Sequence, residues 1–129
     1  MNQELLMHAS VLERQTQEIE QNLEYLESSL SDLRGLKEGL SYLAESKEKE
    51  VLSPIGGGMF MKSFLSDSKV FVQVGAGVVI TKTMKEAEKT IEEQMKKLME
   101  ARIQLTAKKE QIFERLYSMI KEIEGSESE

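Results

Sequence analysis

The sequence predicts an α+β protein in which a long antiparallel two-helix coiled coil is joined by two β-hairpins. Apolar residues recur at every seventh position in both halves of the chain, which marks a helix that keeps one seam against a partner helix. Between the halves lies a segment of short apolar runs separated by glycine-rich turns. The two heptad series are Leu5, Leu12, Ile19, Leu26, Leu33 and Leu40, then Met84, Ile91, Leu98, Leu105, Ile112 and Met119.

The two heptad series are in register with each other. If the chain folds back between them, the two residue numbers of every facing pair add up to the same value. Examples are Leu40 with Ile91 and Leu12 with Met119. Two helices that each paired with a different partner would not need a common register, so the sequence predicts that they pair with each other. The second row of the seam, four residues past each series, is patchy: in both helices it contains polar or charged residues as well as apolar ones.

The first helix is assigned to residues 1–50. Asn2 is a suitable N-cap because its side chain can accept a hydrogen bond from the first free amides of a helix. We expect the helix to fade in the alternating Lys and Glu residues at 47–50, before Pro54, which cannot continue it.

Residues 51–83 predict two β-hairpins that serve assembly. Three turns separate four short apolar runs. They lie at Pro54 with the glycines at 56–58, at residues 66–68 and at residues 75–77. Two hairpins leave strand edges unpaired, and the third run has β-branched or aromatic residues on both faces. We therefore expect other subunits to complete the sheet.

The second helix is assigned to residues 84–125. It opens on a capping box, in which the Thr83 hydroxyl accepts from the amide of Glu86. We expect it to end near Gly125 and to leave residues 126–129 as a flexible acidic tail.

Composition and charge argue against several classes of function. The net charge is -6, and residues 1–50 hold five basic and eleven acidic residues, so the helices lack the basic face that nucleic acid requires. The chain has no Cys, and its one histidine, His8, has no second ligand for a metal. No apolar run reaches membrane length, and we expect a soluble intracellular protein without metal or cofactor.

The glycine runs do not predict an enzyme. Residues 75–77 follow a strand as a dinucleotide loop would, but residues 78–80 continue as strand where a helix N-terminus should follow. The glycines at 56–58 lack the Lys-Ser/Thr of a phosphate loop. Turn glycines are the better interpretation, and we identify no catalytic residue.

Apolar residues off the seam crowd one end of the predicted hairpin. They are Leu6, Met7, Val11, Phe113, Tyr117 and Ile120. Ordinary coil packing or scattered surface apolars would explain any one of them, but a contiguous exposed group usually marks an interaction site. Leu36 and Leu43 lie at the other end, where we expect them to pack against the strands.

The strand segment resembles that of a known family. The run at 54–58, the Phe60-Met61-Lys62 run and the stretch from Val74 to Lys82, set between two long helices, are similar to the archaeal α class of prefoldin subunits. The resemblance covers nearly the whole chain. It implies a hexamer of two α and four β subunits, built on an oligomeric β-barrel. It also implies a cytoplasmic chaperone that captures unfolded clients without ATP and delivers them to a group II chaperonin.

The resemblance and the residue pattern together suggest two functional sets. Client binding is assigned to the coil tip, where flexible apolar side chains suit many partners; its residues are Leu5, Leu6, Met7, Val11, Tyr117, Met119, Ile120 and Ile123. Subunit assembly is assigned to Met59, Phe60, Met61, Phe64, Val70, Val72, Val74, Val78 and Ile80. The alternative function is a prefoldin-like filament or scaffold protein without client transfer.

Overall fold

The structure is a computed structural model that describes residues 3–45, 50–65, 67 and 69–127. In chain order its elements are α1 (Gln3–Glu45), β1 (Glu50–Gly56), β2 (Met59–Phe64), β3 (Lys69–Gly75), β4 (Val78–Thr83) and α2 (Met84–Glu127). The predicted fold class of two long helices joined by two β-hairpins is confirmed. The predicted N-cap Asn2 and residues 46–49 lie outside the described residues.

The chain divides into two compact units. The helical unit comprises Met1–Ser31 and Lys96–Glu129, and the strand unit comprises Asp32–Met95. Each unit contains part of α1 and part of α2, and the four strands belong to the strand unit.

In the helical unit the two helices pair in antiparallel fashion along the predicted seam. Ion pairs across the seam join Lys109 Nζ to Glu20 Oε1 at 3.3 Å and Arg102 Nη1 to Glu27 Oε1 at 2.7 Å. From one ion pair to the next the residue number rises on α1 and falls on α2, which confirms the predicted antiparallel pairing of the two helices. The core consists of Leu12, Ile19 and Ile112, with Leu23, Leu105, Leu116 and Met119 packed against it.

Polar residues in the patchy seam row are accommodated without unsatisfied groups. Arg102 and Lys109 keep their side chains about one-third exposed and reach acids on the other helix, so the stems cover the seam while the charged heads remain near water. Thr16 is buried, and its hydroxyl donates to the Leu12 carbonyl at 2.9 Å. No buried side-chain polar atom in the described part of the chain lacks a hydrogen-bond partner.

In the strand unit the helices keep the same antiparallel relation. Lys37 Nζ lies 3.0 Å from Glu92 Oε1, and the Ser41 hydroxyl donates to Glu88 Oε1 at 3.0 Å. The core of this unit is Leu40, Ala87 and Ile91, with Leu33, Val70 and Met95 packed against it. Through Val70, β3 contributes to the core of the helices that flank it.

The prediction that Leu36 packs against the strands is wrong. Leu36 is 53% exposed, whereas Leu43 is half-buried. The reason is the phase of the helix: Lys37, one residue later, occupies the seam row and pairs with Glu92, so Leu36 is turned away from the partner helix.

The ends of α2 meet the predictions in part. The Glu86 amide donates to Thr83 Oγ1 at 3.1 Å, as the predicted N-terminal cap requires. At the other end the helix runs to Glu127, past Gly125, where we expected it to stop. Gly125 does not take the positive φ of a glycine that caps a helix, so the backbone continues through it.

The two hairpins are separate two-stranded antiparallel sheets of the same design. In both, the pairing shifts register just before the turn, at Gly56 and at Gly75. In the β1–β2 turn, Gly57 and Gly58 have φ of 58° and 76°. In the β3–β4 turn, Ala76 and Gly77 have φ of 47° and 77°. Two consecutive positive φ angles make the tight turn that matches strand twist, which confirms the interpretation of these glycines as turn residues.

The hairpins are also related in sequence. With a constant shift along the chain, Val51, Gly56 and Gly58 of the first hairpin correspond to Val70, Gly75 and Gly77 of the second. Both hairpins were predicted from the sequence, but this repeat was not, because the side chains between the glycines differ.

Candidate functional site

Six large apolar side chains are exposed where the helical unit begins on α1 and ends on α2. Every one of them is at least 40% exposed. They are Leu6, Met7, Val11, Phe113, Tyr117 and Ile120. Single exposed apolar side chains are common, but the concentration of six in a few helical turns marks a candidate interaction surface.

Four of these residues line one groove between α1 and α2, which we call the tip groove. Leu6 contributes from α1, and Phe113, Tyr117 and Ile120 contribute from α2. The groove has a volume of about 600 Å³. Its other lining residues are Ala9, Ser10, Glu13, Thr16, Gln17, Glu20 and Leu116. The groove is thus apolar along α2 and mostly polar along α1.

Helix geometry explains why the α2 wall is continuous. Residues Phe113, Tyr117 and Ile120 follow one another at spacings of four and three, so they lie on one face of the helix. Lys121 Nζ lies 4.8 Å from the centre of the Tyr117 ring, a distance at which a cation is attracted to the ring face. This contact favours one orientation of the tyrosine at the edge of the groove.

The other predicted client-binding residues do not line the tip groove. Met7 and Val11 are exposed on α1, outside its lining. Leu5 and Met119 are half-buried seam residues beside a second depression of about 380 Å³, whose other lining residues are Glu114, Arg115, Ser118 and Glu122. Ile123 is half-buried. Of the predicted client-binding residues, Leu6, Tyr117 and Ile120 therefore line one groove, and the others lie outside its lining.

Phe113 is the groove residue that our set of client-binding residues omitted. It is 53% exposed and lies one helical turn before Tyr117. Its spacing from Tyr117 and Ile120 was the signal in the sequence that would have included it.

Charge is unevenly distributed around the groove. The charged residues that line the groove are Glu13 and Glu20, both on α1. Glu20 at the groove is paired with Lys109. Glu13, also at the groove, has no ion pair or side-chain hydrogen bond with any residue that the structure describes. The α1 rim is therefore negative beside the apolar α2 wall.

A second candidate surface lies on the hairpins, each of which has one uncovered face and one partly covered face. Residues that pair directly across an antiparallel sheet share a face. On the uncovered face of β1–β2, Phe60 and Phe64 are each at least 60% exposed, and on the corresponding face of β3–β4, Phe71 is 72% exposed. The other face of each hairpin is partly covered: Met61 is exposed but Val51 is half-buried in β1–β2, and Ile80 is exposed but Val70 and Val72 are half-buried in β3–β4.

Most of the predicted assembly residues are open to solvent in the single chain. The exposed members are Met59, Phe60, Met61, Phe64, Val74, Val78 and Ile80. Val70 and Val72 are half-buried, and Val70 packs against the helix core of its unit. A two-stranded hairpin with an uncovered apolar face and free edges is at best marginally stable in water, so a further covering partner is expected to stabilise it.

No group of three or more His, Cys, Asp or Glu residues in the described part is placed to hold a metal ion. Of the helices in that part, none is both long and apolar enough to cross a membrane.

Residues 12–126 match the Prefoldin family, described as prefoldin subunit. The chain belongs to the prefoldin family. Similar proteins include prefoldin subunit alpha of Methanosphaera stadtmanae, 30% identical over 90 residues, which are 70% of this chain and 65% of that protein. Prefoldin subunit alpha 1 of Thermococcus kodakarensis is 35% identical over 96 residues, or 73% and 66% of the two chains. Prefoldin subunit alpha of Pyrococcus horikoshii is 32% identical over 102 residues, or 77% and 69%.

These relatives are archaeal α subunits, so the resemblance of this prefoldin subunit to the archaeal α class is confirmed. The aligned part spans about two thirds of the length of the curated relatives. Among solved structures, a chain of filamentous prefoldin from Methanocaldococcus jannaschii has the same fold, with a TM-score of 0.75 and 23% identity over 94% of this chain and 99% of that chain. Membership in the family identifies this protein as a prefoldin subunit.

Proposed function

We propose that this prefoldin subunit captures non-native proteins at its tip groove, without ATP, and passes them to a group II chaperonin in the cytoplasm. The observation that carries the proposal is the groove itself, an apolar wall of Phe113, Tyr117 and Ile120 that remains uncovered in the folded chain. An unfolded client exposes the apolar segments that such a wall can bind. Binding requires only surface burial, and for that reason neither a cofactor nor catalysis is part of the proposed function.

The proposal includes assembly through the hairpins with prefoldin β subunits, as two α and four β chains around a shared β-barrel. The uncovered face and the free edges of each hairpin support it, because a lone two-stranded sheet is marginal in water. Several copies of the groove would then act on one client, and each weak contact would add to the total affinity.

The test compares two double variants in the assembled protein. Phe113→Ser with Tyr117→Ser removes the aromatic wall, and Tyr25→Ser with Ile103→Ser removes an exposed tyrosine and an exposed aliphatic residue elsewhere in the helical unit. Apolar surface contributes about 25 cal/mol per Å² when it is buried, so the first variant should lose much of its client affinity. We expect it to lose most of its suppression of aggregation of a chemically unfolded protein, with the helix content by circular dichroism unchanged.

The control variant should protect the client nearly as well as the parent protein. Equal protection by parent and groove variant would contradict capture at the groove and would place it on partner subunits. Transfer is tested separately: a client held by the assembly should reach the folded state after addition of a group II chaperonin and ATP, and not with ATP alone.

A filament or scaffold role is the second candidate. The free strand edges of both hairpins favour it, and the solved chain of the same fold comes from a filamentous prefoldin. In that role the chain would form long assemblies without β subunits and would not protect clients. Electron microscopy of the chain alone, alongside the aggregation assay, distinguishes the two roles.

A further inference from the structure

A regular series of acidic residues borders the seam on the α1 side of the helical unit. Glu20 and Glu27 are seven residues apart, and each pairs with a basic residue on α2. Lys109 Nζ lies 3.3 Å from Glu20 Oε1, and Arg102 Nη1 lies 2.7 Å from Glu27 Oε1. Lys109 and Arg102 are also seven residues apart, so the same contact repeats once per heptad.

The series has a third acid, Glu13, whose cation is missing. Glu13 lies seven residues before Glu20, and the position seven residues after Lys109 is Leu116. Glu13 and Leu116 both line the tip groove, and Glu13 has no ion pair among the described residues. The heptad pattern that supplies a cation to the other two acids thus supplies an apolar side chain at the groove.

The groove walls have the spacing of a helix-binding surface. On α1, Leu6, Glu13 and Glu20 lie one heptad apart along the rim, and on α2, Phe113 and Ile120 lie one heptad apart along the apolar wall. A third helix with its own heptad stripe can place its apolar side chains between such rows, as amphipathic helices do in other grooves.

We propose that the tip groove preferentially takes amphipathic helical segments with Lys or Arg beside their apolar stripe, and that Glu13 pairs with that cation. The segment's apolar stripe lies on Phe113, Tyr117 and Ile120, and its basic flank faces the acidic rim of α1. The inference rests on the proposed client capture and adds a chemical class of segment to it.

The test uses three fluorescently labelled peptides that share one heptad stripe of Leu and Ile and differ at the flanking positions. One has Lys there, one Gln and one Glu. Anisotropy titrations with the chain, alone and assembled with β subunits, should rank the affinities as Lys above Gln above Glu. Raising the salt concentration should reduce the advantage of the Lys peptide, since the pairing is exposed to water.

The matched variants are Glu13→Gln and Glu18→Gln. Both remove one negative charge from α1, but Glu18 does not line the tip groove. An exposed ion pair of typical strength changes affinity by up to about five-fold. We therefore expect Glu13→Gln to weaken binding of the Lys peptide about three-fold and to leave the affinity for the Gln peptide unchanged. Glu18→Gln should have little effect on the affinity for either peptide.

Three results would overturn the inference. The first is equal binding of the Lys and Gln peptides to the parent chain, and the second is an equal effect of the two variants, which would indicate net charge alone. The third is a groove occupied by a second copy of the chain, seen as a dimer that Phe113→Ser with Tyr117→Ser dissociates. If that double variant abolishes client protection while peptide charge has no effect, client capture stands and the preference for basic segments is wrong.

Discussion

At the residue scale, two leucines of α1 differ in what surrounds them. Leu30 is fully buried, and Leu36 is 53% exposed. Both are Leu in the same helix, so helix propensity is the same at the two positions. The contribution of each to stability depends on the partner helix alone.

We expect Leu30→Ala to lower the free energy of unfolding by about 2 to 5 kcal/mol, because it leaves a cavity in the seam. Leu36→Ala should cost less than about 1 kcal/mol, since little surface is buried there and Ala is the better helix former. Urea denaturation followed by circular dichroism measures both. Similar losses for the two variants would contradict the phase of α1 described above.

At the element scale, the twin hairpins differ at the first turn residue. It is Gly57 in β1–β2 and Ala76 in β3–β4, and both have positive φ. A Cβ at Gly57 would meet only the Met59 side chain at 3.7 Å, an ordinary contact, so space does not explain the glycine. The backbone conformation explains it, because a positive φ costs a residue with a Cβ about 1 kcal/mol or more.

We expect Ala76→Gly to stabilise β3–β4 and Gly57→Ala to destabilise β1–β2, each by about 1 kcal/mol. Amide hydrogen exchange of the assembled protein reports the two hairpins separately. Exchange should slow about five-fold in β3 and β4 of the first variant and quicken by a similar factor in β1 and β2 of the second. Unchanged rates in the substituted hairpins would show that the turns contribute nothing to strand stability.

At the scale of the whole molecule, the hairpins leave apolar surface that the single chain does not cover. Phe71 on β3 is 72% exposed, and Gln73 follows it on the same face. The polar neighbour provides a control at a similar place in the strand.

We expect Phe71→Asp to abolish the large assembly while the helix content of the chain stays the same. Burial of an unpaired carboxylate costs about several kcal/mol, but the cost arises only when a partner covers this face. Gln73→Asp should weaken assembly less, since that position is already polar. Native mass spectrometry of each variant mixed with β subunits gives the result; an unchanged complex with Phe71→Asp would exclude this face from the interface.

Much of the fold is determined by the sequence alone. The heptad series of both helices, their common register and the turn glycines predicted two paired helices and two hairpins, and the structure has them. Local periodicity encodes these features, because a repeat specifies which face of a helix must be covered and a tight turn requires residues that tolerate positive φ. The repeat of one hairpin in the other was also present in the sequence as the recurring valine and glycines.

Only the tertiary structure decided which side chains at the tip share a surface. Leu6, Tyr117 and Ile120 line the tip groove with Phe113, whereas Met7 lies on α1 outside it. A heptad pattern specifies a face to within about one position, which is some 100° around the helix. The packing of α1 against α2 sets the remaining angle, and for that reason the groove and its unpaired acid became visible only in the folded chain.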